Sequence, residues 1–282
     1  MRLFENLRQK FNYTVIKPLL YTAELTNAYQ GISVCNGALK NKVVVVTGAT
    51  GGIGIAIVRR FLNEGCHVIM VGRNEDRLKA FQKEIESEAG GLTYVIVDML
   101  DYGDVKAKTI DILQHHKVDI WVNCAGILKK NDRCPVFRSY VHQDFLDVMN
   151  TNLKSCYLIC TLIAEQMRKT SCRCKIMNIT SICGFSKTHG YTGYGMSKAG
   201  MIELSKIMAE AYKDCVDIVS IAPGSIATAM GEKQMGDNIA IGSNMITKHI
   251  GMPEEIAALT AFMASHIDVF GKTIVASADE RL

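Results

Sequence analysis

A glycine-rich segment near residue 50 places the strongest constraint on the fold of this chain. The apolar run Val43–Val46 leads into Thr47-Gly48-Ala49-Thr50-Gly51-Gly52-Ile53-Gly54, and a helical pattern follows. Glycines in such a segment permit a tight turn and allow the backbone to approach a pyrophosphate closely. Because the motif lies between the first apolar strand and a helix, it predicts a dinucleotide-binding site. The alternative is a turn that only starts a helix.

Short apolar runs alternate with helical patterns along the rest of the chain. The runs are rich in valine and isoleucine and do not alternate in polarity, which is typical of strands buried on both faces. They cover Val43–Thr47, His67–Val71, Thr93–Val97, Ile120–Asn123, Lys175–Ile179, Ile218–Ala222 and Thr273–Ala276. Helical patterns lie between them, at 53–63, 75–88, 144–169, 197–212 and from Pro253. This order predicts an α/β fold, a single-domain, doubly wound, Rossmann-type parallel sheet of about seven strands with helices on both faces.

Length and composition exclude several classes of protein. The 282 residues suit one domain, which we place at 41–282. A net charge of +4 without a long run of one sign does not indicate a nucleic-acid partner. The 10 cysteines are scattered, several within apolar runs, which indicates a reducing, cytoplasmic location. Cys172 and Cys174 lack a second pair or nearby histidines, so we expect no metal.

Residues 1–40 form an arm that precedes this domain. Leu3, Leu7 and Phe11 recur at helical spacing among basic residues, so a short amphipathic helix is possible. The arm has no continuous apolar region of a secretory signal and no stretch of transmembrane length. We expect it to pack on the domain or on a partner subunit, and attachment to a membrane surface is the less favoured alternative.

The end of the second predicted strand carries a cation where many dinucleotide folds carry an acid. An acidic residue there binds the hydroxyls of the adenosine ribose. Here Val71 is followed by Gly72 and Arg73, and a guanidinium suits a 2′-phosphate. The segment favours NADP over NAD as the cofactor, unless Arg73 is only a solvated residue at a helix start.

A second constellation follows the fifth predicted strand. Ser181 comes after Asn178-Ile179-Thr180, and Tyr194-Gly195-Met196-Ser197-Lys198 comes later. If Tyr194 and Lys198 share a helix, they lie on one face. The lysine charge would then lower the tyrosine pKa from its ordinary value of about 10, and the phenol could exchange a proton near neutral pH. Such a pair alone is commonly a surface pair, and it gains weight from Ser181 and the glycine loop.

From Leu39 to Val275, these motifs together resemble the short-chain dehydrogenase/reductase family in its common single-domain branch. The resemblance implies hydride transfer between NADP(H) and a carbonyl or alcohol. It implies that Tyr194 is the general acid/base and that Ser181 polarises the substrate carbonyl. Lys198 would lower the tyrosine pKa and bind the nicotinamide ribose. An asparagine of the preceding helix completes a proton relay through water in the family; Asn152 matches its pattern better than the alternative, Asn150.

The same resemblance implies further cofactor contacts. Asp98, with Met99 beside it, should meet the adenine amino group, although Asp98 could be only a helix cap. Asn123 should support the central strand and could be purely structural. The remaining expected contacts are Ala125 and Gly126 near the adenosine ribose, Pro223, Gly224 and Ile226 along the nicotinamide, and Thr228 at the carboxamide or phosphates.

Two departures from the family pattern concern branch and assembly. The glycine loop also fits the spacing of a longer, epimerase-like branch, against which the chain length argues. The last predicted strand runs into Ser277-Ala278-Asp279-Glu280-Arg281-Leu282 instead of the family's glycine-rich turn, which puts a tetramer interface there in doubt. The two long helices form the family's dimer face, so we expect a homodimer or homotetramer.

The substrate is expected beneath residues 229–249, a segment rich in methionine and isoleucine. These residues favour a keto-acyl, steroid-like or alicyclic ketone. Lys129, Lys130 and Arg133 could meet an anionic carrier or form a solvated loop. Alternative functions are an NADP(H)-binding sensor or scaffold with incidental catalysis, and an isomerase-type member of the family.

Overall fold

The residues described by a computed structural model form one parallel sheet with helices on both faces. They are residues 37–85, 91–129, 142–185, 191–231, 250–265 and 270–277. The strand order is β3-β2-β1-β4-β5-β6-β7. The strands are β1 (Val43–Thr47), β2 (His67–Gly72), β3 (Leu92–Ile96), β4 (Ile120–Asn123), β5 (Cys174–Ile179), β6 (Val216–Pro223) and β7 (Thr273–Ala276). The predicted seven-stranded, doubly wound fold is confirmed.

The helices in chain order complete the two outer layers. They are α1 (Gly52–Asn63), α2 (Glu75–Ile85), α3 (Tyr102–His115), α4 (His142–Met149), a π-helical segment (Asn150–Lys154), α5 (Ser155–Thr170), α6 (Thr192–Ala211) and α7 (Pro253–Ser265), with a short 3₁₀ turn at Ile182–Gly184. Among the described residues, α1, α2 and α7 pack on one face of the sheet and α3, α5 and α6 on the other.

The continuous apolar runs follow from this two-sided burial. In β1, Val44 and Val46 enter the core beneath α1, whereas Val45 between them enters the core on the opposite face. All three valines are fully buried. Since neither face of the strand meets water, no polar residue interrupts the run.

The helices differ from the sequence predictions in three places. We did not predict α3, although Asp101 caps it and Val105 and Ile112 lie on its buried face. The long helix predicted at 144–169 is divided by the π-helical segment. The helix predicted from Ser197 begins at Thr192. This earlier start matters because it brings Tyr194 into the helix.

The strand order creates a crevice where the direction of winding reverses. After β3 the chain returns to the other side of β1, so β1 and β4 are neighbours although they are not consecutive. Ligands of doubly wound sheets bind outside the carboxyl ends of such strands. Several predicted regions lie outside the described residues: residues 1–36 of the arm predicted at 1–40, residues 232–249 of the substrate segment, Lys130 and Arg133, and the C-terminal residues from 278 onward. Within the described part of the chain, no helix has the length and apolar character needed to cross a membrane.

Candidate active site

A cleft of about 1040 Å³ opens at this crevice. Ser181 lines the cleft, whereas Asn123 and Asn152 do not. The predicted residues that line it on the cofactor side are Gly48, Thr50, Gly51, Gly52, Ile53, Gly54, Arg73, Asp98, Met99, Ala125, Gly126, Tyr194, Lys198, Pro223, Gly224, Ile226 and Thr228. The fold therefore brings the glycine loop and the Ser–Tyr–Lys residues into one cleft.

The glycine loop fits closely around the end of β4 and opens towards the cleft. Gly48 has φ 66°, and a Cβ atom added to it would lie 2.8 Å from Cα of Ala125. A Cβ on Gly54 would overlap the carbonyl group of Gly48. Gly51 precedes α1 and has no side chain to bind the first amides of the helix, which remain available to phosphate oxygens. These features fit the pyrophosphate of a dinucleotide.

Thr47 holds the loop after β4 in place, and sequence reasoning missed it. Its buried hydroxyl accepts hydrogen bonds from the N–H groups of Cys124 and Ala125, each at 3.1 Å. The bonds join the glycine loop to the cleft wall formed by residues 124–127. A threonine immediately before the first glycine was the available signal.

Two guanidinium groups meet the cleft beyond the end of β2. Arg73 is exposed, and Arg77, which sequence reasoning missed, lines the cleft beside it. The Arg77 guanidinium donates a hydrogen bond to the Thr50 carbonyl at 2.8 Å, and its backbone N–H donates to Asn74 Oδ1 at 2.9 Å. Among the ion pairs of the described residues, neither arginine has a carboxylate partner. This end of the cleft therefore presents uncompensated positive charge.

Asp98 both lines the cleft and shapes the turn before α3. Its carboxylate accepts the N–H of Leu100 at 3.0 Å, and its own N–H donates to the Asp104 carboxylate at 2.9 Å. The helix cap itself is Asp101, whose carboxylate accepts the Asp104 N–H. Asp98 is thus not the cap of α3, and it remains in place to meet a ligand in the cleft.

Asn123 lies in the sheet interior instead of at the cleft. Its side-chain oxygen accepts the Trp121 indole N–H at 3.1 Å, and its amide nitrogen donates to Asn178 Oδ1 at 2.9 Å. Asn178 in turn donates to Ser205 of α6 at 2.8 Å. This buried chain of hydrogen bonds ties β4 and β5 to α6. It supports the structural interpretation of Asn123 over direct cofactor contact.

Tyr194 and Lys198 occupy adjacent turns of α6 and face Ser181. Lys198 Nζ lies 5.7 Å from the centre of the Tyr194 ring and donates to the Ile179 carbonyl at 2.8 Å. Ser181 forms a side-chain hydrogen bond with Tyr194, and the Ser181 hydroxyl accepts the Cys183 N–H at 3.1 Å. All three predicted catalytic side chains are more than nine-tenths buried.

The expected lowering of the tyrosine pKa is contradicted in the protein alone. Burial is the largest influence on Tyr194 and raises the pKa of its phenol well above the ordinary value, and only the hydrogen bond with Ser181 opposes it. Burial also lowers the pKa of the Lys198 ammonium group. The removal of water is therefore the dominant influence on the Tyr194 phenol, which the spacing of Tyr194 and Lys198 could not reveal.

Asn152 lies beside the cleft and fixes its neighbours. Its Oδ1 accepts the Ile127 N–H at 2.8 Å, and its Nδ2 donates to the Ile127 carbonyl at 3.1 Å and to Ser197 Oγ at 3.0 Å. Ser197 Oγ donates to the Tyr194 carbonyl at 2.7 Å. The π-helical segment therefore places Asn152, and not Asn150, against the helix that carries Tyr194.

The cleft is closed on the side of β6 by a short irregular stretch. Ile226 pairs with Gly251, and Thr228 Oγ1 accepts the Gly231 N–H at 3.0 Å. The Thr228 methyl group packs so closely on Gly52 that an added Cβ would overlap it. Thr228 thus connects this side of the cleft to the glycine loop.

Aromatic and apolar side chains form the far end of the cleft. Phe185 is 51% exposed and lines the cleft, as do Tyr191, Ile182 and Met230. Met230 belongs to the segment 229–249 that was predicted to cover the substrate, whereas sequence reasoning did not select Phe185, Tyr191 and Ile182. By contrast, Lys129 forms ion pairs with carboxylates of α4 at 3.3 and 3.5 Å, so its charge is already compensated.

Comparisons with known proteins identify relatives of the whole domain. A family model described as short chain dehydrogenase matches residues 42–238. The chain is 32% identical to the 3-oxoacyl-[acyl-carrier-protein] reductase FabG of Chlamydia pneumoniae, over 82% of this chain and 93% of the relative. It is 30% identical to the acetoacetyl-CoA reductase of an Acinetobacter species, over 80% and 91%. A solved short chain dehydrogenase from Mycobacterium smegmatis superposes with a TM-score of 0.75 at 26% identity, covering 88% of this chain and 96% of that one.

The fold and the site together indicate a class of enzyme. One cleft contains both a dinucleotide-type glycine loop and a buried Ser–Tyr–Lys group, which is characteristic of a nicotinamide-dependent oxidoreductase. Because the family model matches residues 42–238, which is most of the chain, the chain belongs to the short-chain dehydrogenase/reductase family. Members of this family act on CH–OH groups.

Proposed function

We propose that the chain is an NADP(H)-dependent reductase of ketones in which Tyr194 donates the proton. The observation that carries the proposal is the single cleft lined by the glycine loop, Ser181, Tyr194 and Lys198. A bound nicotinamide supplies or accepts the hydride. The residues of the chain orient the carbonyl and move the proton.

Each catalytic residue has a role that its surroundings support. Ser181, hydrogen-bonded to Tyr194, orients the carbonyl oxygen of the substrate. The Tyr194 phenol donates a proton to that oxygen as the carbon is reduced, and its raised pKa keeps it protonated at neutral pH. Lys198 is fixed by the Ile179 carbonyl and binds the nicotinamide ribose. Asn152 supports the relay by fixing Ile127 and Ser197 of α6.

The positive end of the cleft supports NADP as the cofactor. A 2′-phosphate offers the negative charge that Arg73 and Arg77 lack among the described ion pairs. Planar guanidinium groups match phosphate oxygens in geometry as well as charge. An adenosine ribose without this phosphate would leave both groups without a counter-charge, so we expect NAD to bind more weakly.

The far end of the cleft supports an apolar keto substrate. Phe185, Tyr191 and Met230 offer apolar and aromatic surface next to Ser181. The names of the relatives above describe reductases of 3-oxoacyl thioesters. We therefore place 3-oxoacyl thioesters first, and steroid-like or alicyclic ketones second.

The exposed faces of α5 and α6 support a homo-oligomer. Tyr157 on α5 and Ile207 on α6 are 55% and 58% exposed, so each helix presents a large side chain with apolar surface that a second copy of the chain could cover. We propose a homodimer through these helices, or a homotetramer that contains it, in the cytoplasm. Light scattering at micromolar concentration tests this, and a monomeric mass would contradict it.

Turnover of a ketone panel tests the proposed function directly. Oxidation of NADPH is followed with a 3-oxoacyl thioester, an alicyclic ketone and a steroid ketone. Tyr194→Phe and Ser181→Ala should lose turnover, whereas Tyr102→Phe, which removes a hydroxyl of a half-exposed residue outside the cleft, should retain it. Tight NADPH binding without turnover of any ketone would contradict the proposal and favour a sensor.

A further inference from the structure

Thr151 carries a buried hydroxyl for which the described residues offer no partner. The residue is 6% exposed, and its Oγ1 is shielded from solvent and makes no hydrogen bond within the described part of the chain. Buried polar groups are nearly always hydrogen-bonded in native proteins, so an isolated hydroxyl requires an explanation.

The missing bond coincides with the change of helix type. Three threonines in regular helices donate to the carbonyl four residues earlier: Thr161 to Tyr157 at 2.9 Å, Thr170 to Gln166 at 2.9 Å, and Thr260 to Ile256 at 2.6 Å. Thr151 is the second residue of the π-helical segment, and its hydroxyl forms no such bond. A regular α-helix would ordinarily offer this hydroxyl a carbonyl acceptor, whereas the π-helical segment leaves it without a hydrogen bond in the described part of the chain.

Thr151 also lines the cleft, beside residues already assigned to the cofactor side. Its neighbour Asn152 is fixed on the backbone of Ile127. A Cβ built on Gly126 would lie 3.5 Å from both Asn152 Oδ1 and Lys198 Nζ. Thr151 therefore belongs to a wall that a dinucleotide in the cleft would contact.

We propose that the Thr151 hydroxyl is a further hydrogen-bonding group for the bound nicotinamide dinucleotide, an inference that rests on the proposed function. A hydroxyl both donates and accepts, so it can pair with a ribose hydroxyl or an amide of the cofactor. Threonine in a helix has two accessible χ1 rotamers, and rotation between them turns the hydroxyl from its shielded position towards the ligand. The unsatisfied bond of the ligand-free protein is completed when the cofactor binds.

Thr151→Val separates this role from simple packing, because stability and binding should change in opposite directions. Removing an unsatisfied buried hydroxyl should raise the Tm of the ligand-free protein by about 2–4 °C. Losing a hydrogen bond to the ligand should raise the Kd for NADPH by about tenfold. A residue that only packs in the wall would not produce this combination.

Two control variants sharpen the measurement. Thr151→Ser keeps the hydroxyl and should keep the Kd for NADPH within about twofold of the unaltered protein. Thr260→Val removes a buried helical hydroxyl that is already hydrogen-bonded, away from the cleft, and should lower the Tm while leaving the Kd unchanged.

The inference is overturned if Thr151→Val binds NADPH as tightly as the unaltered protein. It is also overturned if only the KM for a ketone changes at saturating NADPH, because the hydroxyl would then serve the substrate or an ordered water. Failure of the unaltered protein to bind either NADPH or NADH would instead refute the proposed function. The two failures are distinguishable, because the first appears only in the comparison of variants.

Discussion

Replacing Arg73 and Arg77 by alanine, singly and together, tests how the chain selects its cofactor. A hydrogen bond to a charged group contributes about 1.5–3 kcal/mol, and exposed guanidinium groups belong at the low end because water screens them. A loss of about 1.4 kcal/mol is tenfold in affinity. Each single replacement should therefore weaken NADPH about tenfold. The double replacement should weaken NADPH binding by less than the product of the two single effects, because the two guanidinium groups would share one phosphate.

The two arginines differ in what else they hold. Arg77 also donates to the Thr50 carbonyl in the glycine loop, whereas no such bond to the loop is found for Arg73 in the described part of the chain. Loss of an ordinary hydrogen bond costs about 0.5–1.5 kcal/mol, so Arg77→Ala should weaken NADH as well, by about threefold to tenfold. Arg73→Ala should leave NADH binding unchanged.

Fluorescence titration with NADPH and NADH in parallel measures all of these values. Arg168→Ala is the matched control, since it removes an exposed arginine that pairs with Asp214 and does not line the cleft. Added salt should weaken NADPH more than NADH. If NADH binds the unaltered protein as tightly as NADPH, or if Arg73→Ala weakens both equally, the reasoning from the uncompensated guanidinium groups is wrong.

Three further predictions concern the proton, the glycine loop and the sheet interior. Because the raised pKa keeps the Tyr194 phenol protonated, the rate of ketone reduction should stay level from about pH 6 to about pH 9, while the rate of alcohol oxidation should increase with pH. A pH–rate profile measures both rates, and a rate of reduction that falls through neutral pH would contradict this. Gly48→Ala should destabilise the protein by more than about 1–2 kcal/mol, since φ is 66° and the added methyl would collide with Ala125; denaturant unfolding measures this, and unchanged stability would contradict it. Asn123→Ala should cost about 1–3 kcal/mol of unfolding free energy, because Trp121 and Asn178 lose a buried partner, yet it should leave the Kd for NADPH unchanged; a weaker Kd without loss of stability would restore the cofactor role.

The sheet could be predicted from the sequence because its strands are buried on both faces. Burial on both sides makes residues such as Val43–Thr47 read as continuous apolar runs, and every predicted strand is present within a few residues. The amphipathic helix α3 was missed, since lysines interrupt its pattern and only Val105, Thr109, Ile112 and Leu113 are buried. The glycine loop could be placed because its residue type answers a local backbone requirement at Gly48.

The remaining features depend on distances that no spacing encodes. The π-helical segment at Asn150–Lys154 closes its hydrogen bonds one residue further along the chain than an α-helix does. This change leaves little trace in the hydrophobic periodicity, so neither the segment nor the unsatisfied hydroxyl of Thr151 could be foreseen. Arg77 could have been considered from the sequence, because it lies at the start of α2, four residues after Arg73. Its bond to Thr50 required the fold that brings α2 beside the glycine loop.

The pKa of Tyr194 shows most clearly where sequence reasoning ends. The spacing of Tyr194 and Lys198 reveals a favourable charge pair, but it does not reveal that both groups are buried. Burial acts on both groups towards the uncharged form, raising the pKa of the phenol and lowering that of the ammonium group. The lysine charge is itself disfavoured, and among the influences on Tyr194 only the hydrogen bond with Ser181 opposes the cost of a buried phenolate. Reduction needs the protonated phenol and oxidation needs the phenolate, so the pH dependence of the two directions reports the protonation state of Tyr194.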